Sequence, residues 1–363
     1  MTSTLTKTLL SLASAAVLAG MLAGCSDNDG NGNGNSASPS SSASSSPSAS
    51  SSSSATSSPS ASPTPSGPAP TQSSAPSQDD GDSAALLAAF QAKVKAGASA
   101  SELNKLLDDS IPKAKPEDAD EMIREMIAYY DSHLQDAGKP LEAQDVQQSL
   151  LKLKWPFTVN DIKDEKARKA VEEVTAGGYK LETAEGSFFP VVDYGKLKRF
   201  DDQVSAEMKD YVALLATESD AKTASDGALV ISWDELAKRA LAAETFVKTY
   251  SDSKEKDAAE QRFLLYMNDY LVGLPNTPIF DFDTFKFKAE VKTSYEKVIS
   301  EHPDSAVATM AKELLDILQK TNGAVFTKGK NGQQVDVPEV KTFRDNLQKE
   351  AASLLSSSAN ANK

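Results

Sequence analysis

Glu244-Thr245-Phe246-Val247-Lys248-Thr249-Tyr250-Ser251-Asp252-Ser253 and Glu296-Lys297-Val298-Ile299-Ser300-Glu301-His302-Pro303-Asp304-Ser305 carry one pattern twice, at an offset of 52 residues. In each, apolar side chains recur three apart. The pattern then ends at an aromatic or a histidine, and a turn with Asp-Ser supplies the N-cap of a following helix. Helix, tight turn, helix, written twice, predicts a chain built from helical hairpins.

Outward from this pair the helical period continues in both directions. Leu86, Leu87, Phe90 and Val94 form one stripe, and Leu103, Leu106 and Leu107 another. Met122, Ile123, Met126, Ile127, Tyr130 and Leu134 form a longer one. Pro116 precedes that stripe with Glu117, Asp118 and Asp120, whose carboxylates complement a helix N-terminus. Met208, Tyr211, Val212 and Leu215 follow Ser205 as N-cap, and Ser232-Trp233-Asp234-Glu235 reads as a capping box. Helices carrying Phe263, Met267, Tyr270 and Leu271, then Val291 and Tyr295, then Val307, Met310, Leu314 and Leu318 come next. Asn322-Gly323 stops the last of these, and Pro338 opens a final helix to Leu355.

Two segments depart from that period. Tyr179 to Val192 surrounds Glu185-Gly186, and Ala324 to Val337 surrounds Asn331-Gly332. Both predict short hairpins or extended loops set into a helical scaffold.

His302-Pro303-Asp304-Ser305 followed by Ala306, Ala308 and Ala311 resembles the helix junction of tetratricopeptide-type repeats, around residues 233–320. The offset is longer than the family's 34 residues, and the Trp, Gly and Tyr signature of its first helix is missing. The resemblance implies a degenerate, lengthened array with a concave surface for a peptide or protein segment. The expected fold is thus all-α: a helical-hairpin, tetratricopeptide-like array with two small β insertions, behind a disordered linker.

That linker follows Leu22-Ala23-Gly24-Cys25, which contains the single cysteine of the 363 residues. Lys7 and the uncharged apolar run from Leu9 to Leu22 precede it, as in a secretory signal. The four residues resemble a bacterial lipobox, which implies diacylglycerol on Cys25 and residence on the outer face of the cytoplasmic membrane. One buried acyl chain holds marginally and two hold firmly, at about 0.8 kcal/mol per CH₂. Ser36 to Ser66 uses only Ser, Ala, Pro and Thr, and no large apolar residue occurs from Ser26 to Ala84. Nothing there offsets the entropy of ordering, so this is a tether, able to reach roughly 40–175 Å between coil and polyproline limits. Such a reach suits the thick wall of a Gram-positive cell. Asp27, Asp29, Asn31 and Gly32 match the start of a calcium loop, but position 12 is Ser38, so the match is rejected. The expected boundaries are 1–24 signal peptide, 25–82 tether, 83–220 N-terminal helical part and 221–363 C-terminal helical-repeat part, the last two either separate or continuous as a single domain.

Net charge is −14, and residues 1–82 hold one Lys and five Asp, so residues 83–363 carry −10. An acidic domain repels phosphate backbones, which argues against nucleic acid. No zinc-spaced histidines, phosphate loop, dinucleotide turn or nucleophile elbow occurs, so no catalytic residue, metal or cofactor is expected. His133 sits in a solvated window, and His302 takes the place of Tyr250 and should pack on its hairpin. Glu182, Glu185, Asp281 and Asp283 offer paired carboxylates of the sort a glycoside hydrolase uses, in a chain with 52 acidic residues where neighbours arise by chance.

Aromatic residues concentrate in two connections: Phe188, Phe189 and Tyr194, and Phe280, Phe282, Phe285 and Phe287. These rings either fill grooves between helices or form an exposed partner-binding lining. Solvent accessibility separates the two. The function expected first is a lipid-anchored, extracytoplasmic binding or scaffolding protein engaging a protein or peptide of the envelope. A solute-binding lipoprotein of a transport system is the second reading, and a cell-wall hydrolase the third.

Overall fold

The computed structural model describes residues 78–359, with their side chains from 81 to 356. The signal segment, Cys25, the calcium-loop-like residues and the tether up to residue 77 lie outside the described residues. In chain order the elements are α1 (Gln78–Lys95), α2 (Ala100–Ser110), α3 (Pro116–Gly138), α4 (Gln144–Leu151), α5 (Glu165–Ala176), β1 (Tyr179–Ala184) and β2 (Ser187–Val192). After a 3-10 helix over Tyr194–Phe200 come α6 (Ala206–Asp220), β3 (Ala224–Ser225), β4 (Ala228–Leu229), α7 (Trp233–Thr249) and α8 (Lys256–Leu271). The chain continues through β5 (Gly273–Leu274), β6 (Thr277–Pro278), α9 (Ala289–Glu301), α10 (Ala306–Lys320), β7 (Phe326–Lys328), β8 (Gln334–Asp336) and α11 (Pro338–Ala359). The fold is mainly α with small antiparallel strand pairs.

Local chemistry sets the helix ends. Ser205, Ser232 and Ser305 each cap a helix by accepting the backbone N–H three residues on. Pro116 opens α3, where an N–H would have had no helical partner. At Ser232 only half of the expected box forms, because the Glu235 carboxylate turns away to Arg239 on the next turn, 3.5 Å distant. A full capping box is found instead at Ser99 and Glu102.

Packing follows the hairpin pattern. Helices α7 and α8 lie against each other along their length, α9 pairs with α10, and α11 closes over α7, α8 and α10. Buried tyrosines fill the seams: Tyr295 Oη donates to the carbonyl of Tyr270, whose own hydroxyl meets Ser294 Oγ. Both of these buried hydroxyls therefore have a partner, as low-dielectric surroundings require.

The strand pairs are all two-stranded and antiparallel. Glu185 and Gly186 take positive φ (50° and 74°) between β1 and β2, a turn whose twist matches the strands it joins. Asn331 and Gly332 do the same between β7 and β8. Asp226 and Gly227 (50° and 67°) make a third such turn, between β3 and β4, beyond the two expected from the sequence.

Contacts between helices distant in sequence fix their relative direction. Ser83 and Gln91 of α1 bond to Asp118 and Glu125 of α3, so these two helices run the same way. Asp120 and Arg124 reach Ser205 and Glu207 at the start of α6, while Tyr266 of α8 bonds Glu218 near the end of α6. Helix α7 returns between α6 and α8. Thus α1, α3, α6 and α8 share one sense.

Candidate interaction groove

Met122, Ile123, Met126, Ile127 and Tyr130 bury one face of α3. The opposite face presents Glu121, Arg124, Glu125, Ala128 and Ser132, spaced three and four apart. Ala128 is exposed, and among the described residues no helix covers it. With Val94 of α1 and with Tyr129 and His133, this face lines an open groove of about 420 Å³. Lys254, in the turn before α8, places its Nζ 2.8 Å from Glu121 of the groove lining.

Arg124 organises the charges. Its Nε donates to Glu255 Oε1 at 2.5 Å, one terminal nitrogen reaches Glu121 at 3.0 Å, and the other stands 3.8 Å from Glu207. Burial acts to raise the Glu255 carboxyl, but hydrogen bonds from Arg124 and Ser253 hold it below its ordinary value. Hydrogen bonding from Lys254 likewise holds Glu121 low. Both cations are therefore neutralised by their partners.

Two carboxylates of α3 are not: Glu125 in the groove lining, and Asp131 outside it on the same helix. Glu125 Oε1 accepts the Gln91 side-chain amide at 2.8 Å, and Asp131 Oδ1 accepts the Tyr194 hydroxyl at 3.3 Å. Among the described residues neither has a cation within 4 Å. Desolvation raises the Asp131 carboxyl above its usual value.

No protein-family model, curated protein or solved structure matches the chain. What the groove can do therefore rests on its own geometry. Ser132 Oγ and His133 Nδ1 stand 2.9 Å apart, which suggests a nucleophile and its base. The hydroxyl, however, also lies 2.9 Å from the Ala128 carbonyl and 3.0 Å from that of Tyr129, and His133 Nδ1 lies 3.0 Å from the same Tyr129 oxygen. Both side chains are turned back on their own helix, and the imidazole stacks on Tyr129 at 4.0 Å. This pair builds a wall of the groove rather than activating an oxygen. Among the described residues no group of three or more His, Cys, Asp or Glu is placed to hold a metal ion.

The aromatic residues singled out from sequence fall in two separate places. Phe188 is buried against Trp155 and Phe157, with ring centroids 5.4 and 5.3 Å away, and Gln147 holds its backbone at both N–H and C=O. Phe189 is half-buried on the same strand. Tyr194 is half-buried, edge-on to Tyr130, and donates its hydroxyl to Asp131 of α3, outside the groove lining. Phe280 and Phe285 are buried around Phe326, and Phe287 packs on Tyr295. Phe282 is 58% exposed, held out by a turn in which Asp281 Oδ1 accepts the N–H groups of Asp283 and Thr284. Most of these rings fill seams between elements, and Phe282 is the exposed one of the seven.

The histidines exchange the roles read from sequence. His133 stacks in the groove wall, while His302 is exposed at the end of α9. The hydroxyl of its counterpart Tyr250 bonds Asp210 at 2.7 Å, a partner that an imidazole at 302 lacks. Arg124, Glu125 and Ala128 escaped the sequence reading. The polar stripe they form was visible in the 3.6-residue period, but a polar stripe is ordinarily just a solvated face.

Proposed function

We propose that this chain is an extracytoplasmic binding or scaffolding protein of the bacterial envelope. Diacylglycerol on Cys25 fastens it to the outer face of the cytoplasmic membrane, and the tether displays its helical domain to a protein or peptide partner. The observation that carries this reading is the groove over α3, whose floor combines an uncovered helix face with small side chains at Ala128 and Ser132. A floor of small residues on a rigid helix admits a chain segment closely, with little ordering cost to the protein.

The α7–α8 and α9–α10 hairpins support a degenerate tetratricopeptide-type array, an architecture suited to holding segments on a concave side. A solute-binding lipoprotein ordinarily needs alternating strand–helix units to build two lobes. The mainly helical fold favours the first reading over that one.

The test is a photo-crosslinking residue placed at Ala128 of the full chain in intact cells. Capture of a discrete envelope protein, lost when Glu125 is also replaced by Trp to fill the groove, supports the reading. Capture of small solutes or glycans alone overturns it. Anchorage is checked separately: Cys25→Ser should release the chain to the medium and abolish labelling by radioactive palmitate.

A further inference from the structure

We infer that the groove over α3 selects a segment carrying basic side chains, with Glu125 in its lining and Asp131, exposed beside it on the same helix, reading the charge; this deepens the binding role proposed above and rests on it. The cations of the groove are already engaged. Arg124 is held by Glu255 and Glu121, and Lys254 by Glu121, all within 3.0 Å. A ligand carboxylate would have to break these pairs, one of which includes the buried Glu255, and stranding a buried charge is costly. Anionic ligands are therefore disfavoured even though an arginine lies in the floor.

Glu125 and Asp131 have the opposite character. Each accepts one neutral donor, Gln91 or Tyr194, and retains acceptor capacity for a cation. They flank the Arg124–Ala128–Ser132 stripe on its two sides. Six residues apart, they are separated by about 9 Å along the helix axis. Two lysines near this spacing on an extended or helical segment can meet both carboxylates while the backbone between them rests on Ala128. Such a cation offsets the desolvation that raises Asp131, since an opposite charge favours the ionised form. The surrounding domain, at −10, adds a long-range field of the same sign.

The experiment is calorimetric titration of the full chain, in detergent, with an alternating lysine–alanine octapeptide and with its glutamate–alanine counterpart. The lysine peptide should bind and the glutamate peptide should not, and affinity should fall as salt rises from about 50 to about 500 mM, values chosen to shorten the screening length. Glu125→Gln with Asp131→Asn keeps both neutral hydrogen bonds and should weaken binding at least tenfold, with a thermal midpoint that is not lowered, since removing the partly desolvated Asp131 charge does not destabilise the fold. Ala128→Trp, at an exposed helix position, should weaken it as much by filling the groove. Equal binding of the two peptides, binding of neither, or indifference of the lysine peptide to the double substitution overturns the inference. If the Ala128 crosslinker still captures an envelope protein in that event, the binding role stands without the charge selection; if it captures none, both fall.

Discussion

The carboxylate of Glu244 on α7 accepts the backbone N–H of Ala306 at 2.7 Å and of Val307 at 3.2 Å, so one helical hairpin supplies the cap for the second helix of the next. Glu244 is 3% exposed, and Lys248 one turn on completes the arrangement at 2.6 Å. Two N–H groups that α10 leaves unpaired, and the positive end of its dipole, meet an anion from another element. Glu296, which takes the same place in the second copy of the sequence pattern, is exposed and stands 3.4 Å from Lys292 on its own helix. The repeated sequence thus has this structural role in only one copy.

Glu244→Ala should destabilise the domain by about 2–4 kcal/mol, because it leaves buried N–H groups and a lysine without their acceptor. Urea denaturation should show a lower midpoint at unchanged slope. Glu244→Gln, which keeps an acceptor oxygen, should lose less.

Asp269 gives a pH signature. Desolvation, with a contribution from Glu218, pushes its carboxyl up to about 6, against an unfolded value of about 3.9. Between these values the folded chain holds a proton that the unfolded chain has released. Stability from this group is therefore greatest near pH 4 and declines as pH rises through 6. Asp269→Asn should abolish the decline and raise stability at pH 7 by on the order of 1–2 kcal/mol, after allowance for partial exposure. Glu218 and Glu255, held below their ordinary values, contribute stability that is lost on acidification, but this loss is common to both proteins and cancels in their difference. The measurement is unfolding free energy at pH 4 and pH 7 for both proteins.

Phe280 and Phe282 are two residues apart and differ sharply, at 7% and 58% exposure. Phe280→Ala should cost about 3–5 kcal/mol through the cavity it leaves beside Phe285 and Phe326. Phe282→Ala should change stability by less than about 0.5 kcal/mol. Thermal denaturation of the two variants checks the contrast, and equal losses would place Phe282 in the core.

Much of the architecture could be read in one dimension because it depends on neighbours three or four residues apart. Serine caps at 205, 232 and 305 are bonds from a side chain to the backbone three residues on, and the Pro116 start and the turns at Glu185-Gly186 and Asn331-Gly332 follow from the backbone angles those residues adopt. Helices α4 and α5 were missed because their apolar stripes are short, with Val146 and Leu150 in one and Ala167, Ala170, Val171 and Val174 in the other. The Asp226-Gly227 turn had the right dipeptide but strands of only two residues, too few for alternation to register.

The groove lay beyond that reach. Sequence determined that Glu121, Arg124, Glu125, Ala128 and Ser132 share a helix face, since 3.6 residues make a turn whatever surrounds it. Whether that face is bare or covered, and which of its charges are neutralised, depends on Arg124 meeting Glu255 across 131 residues. That meeting is decided when α3, α6 and α8 pack in one direction. Periodicity cannot encode it, because the energy of a pair distant in sequence exists only after the chain has brought its members together.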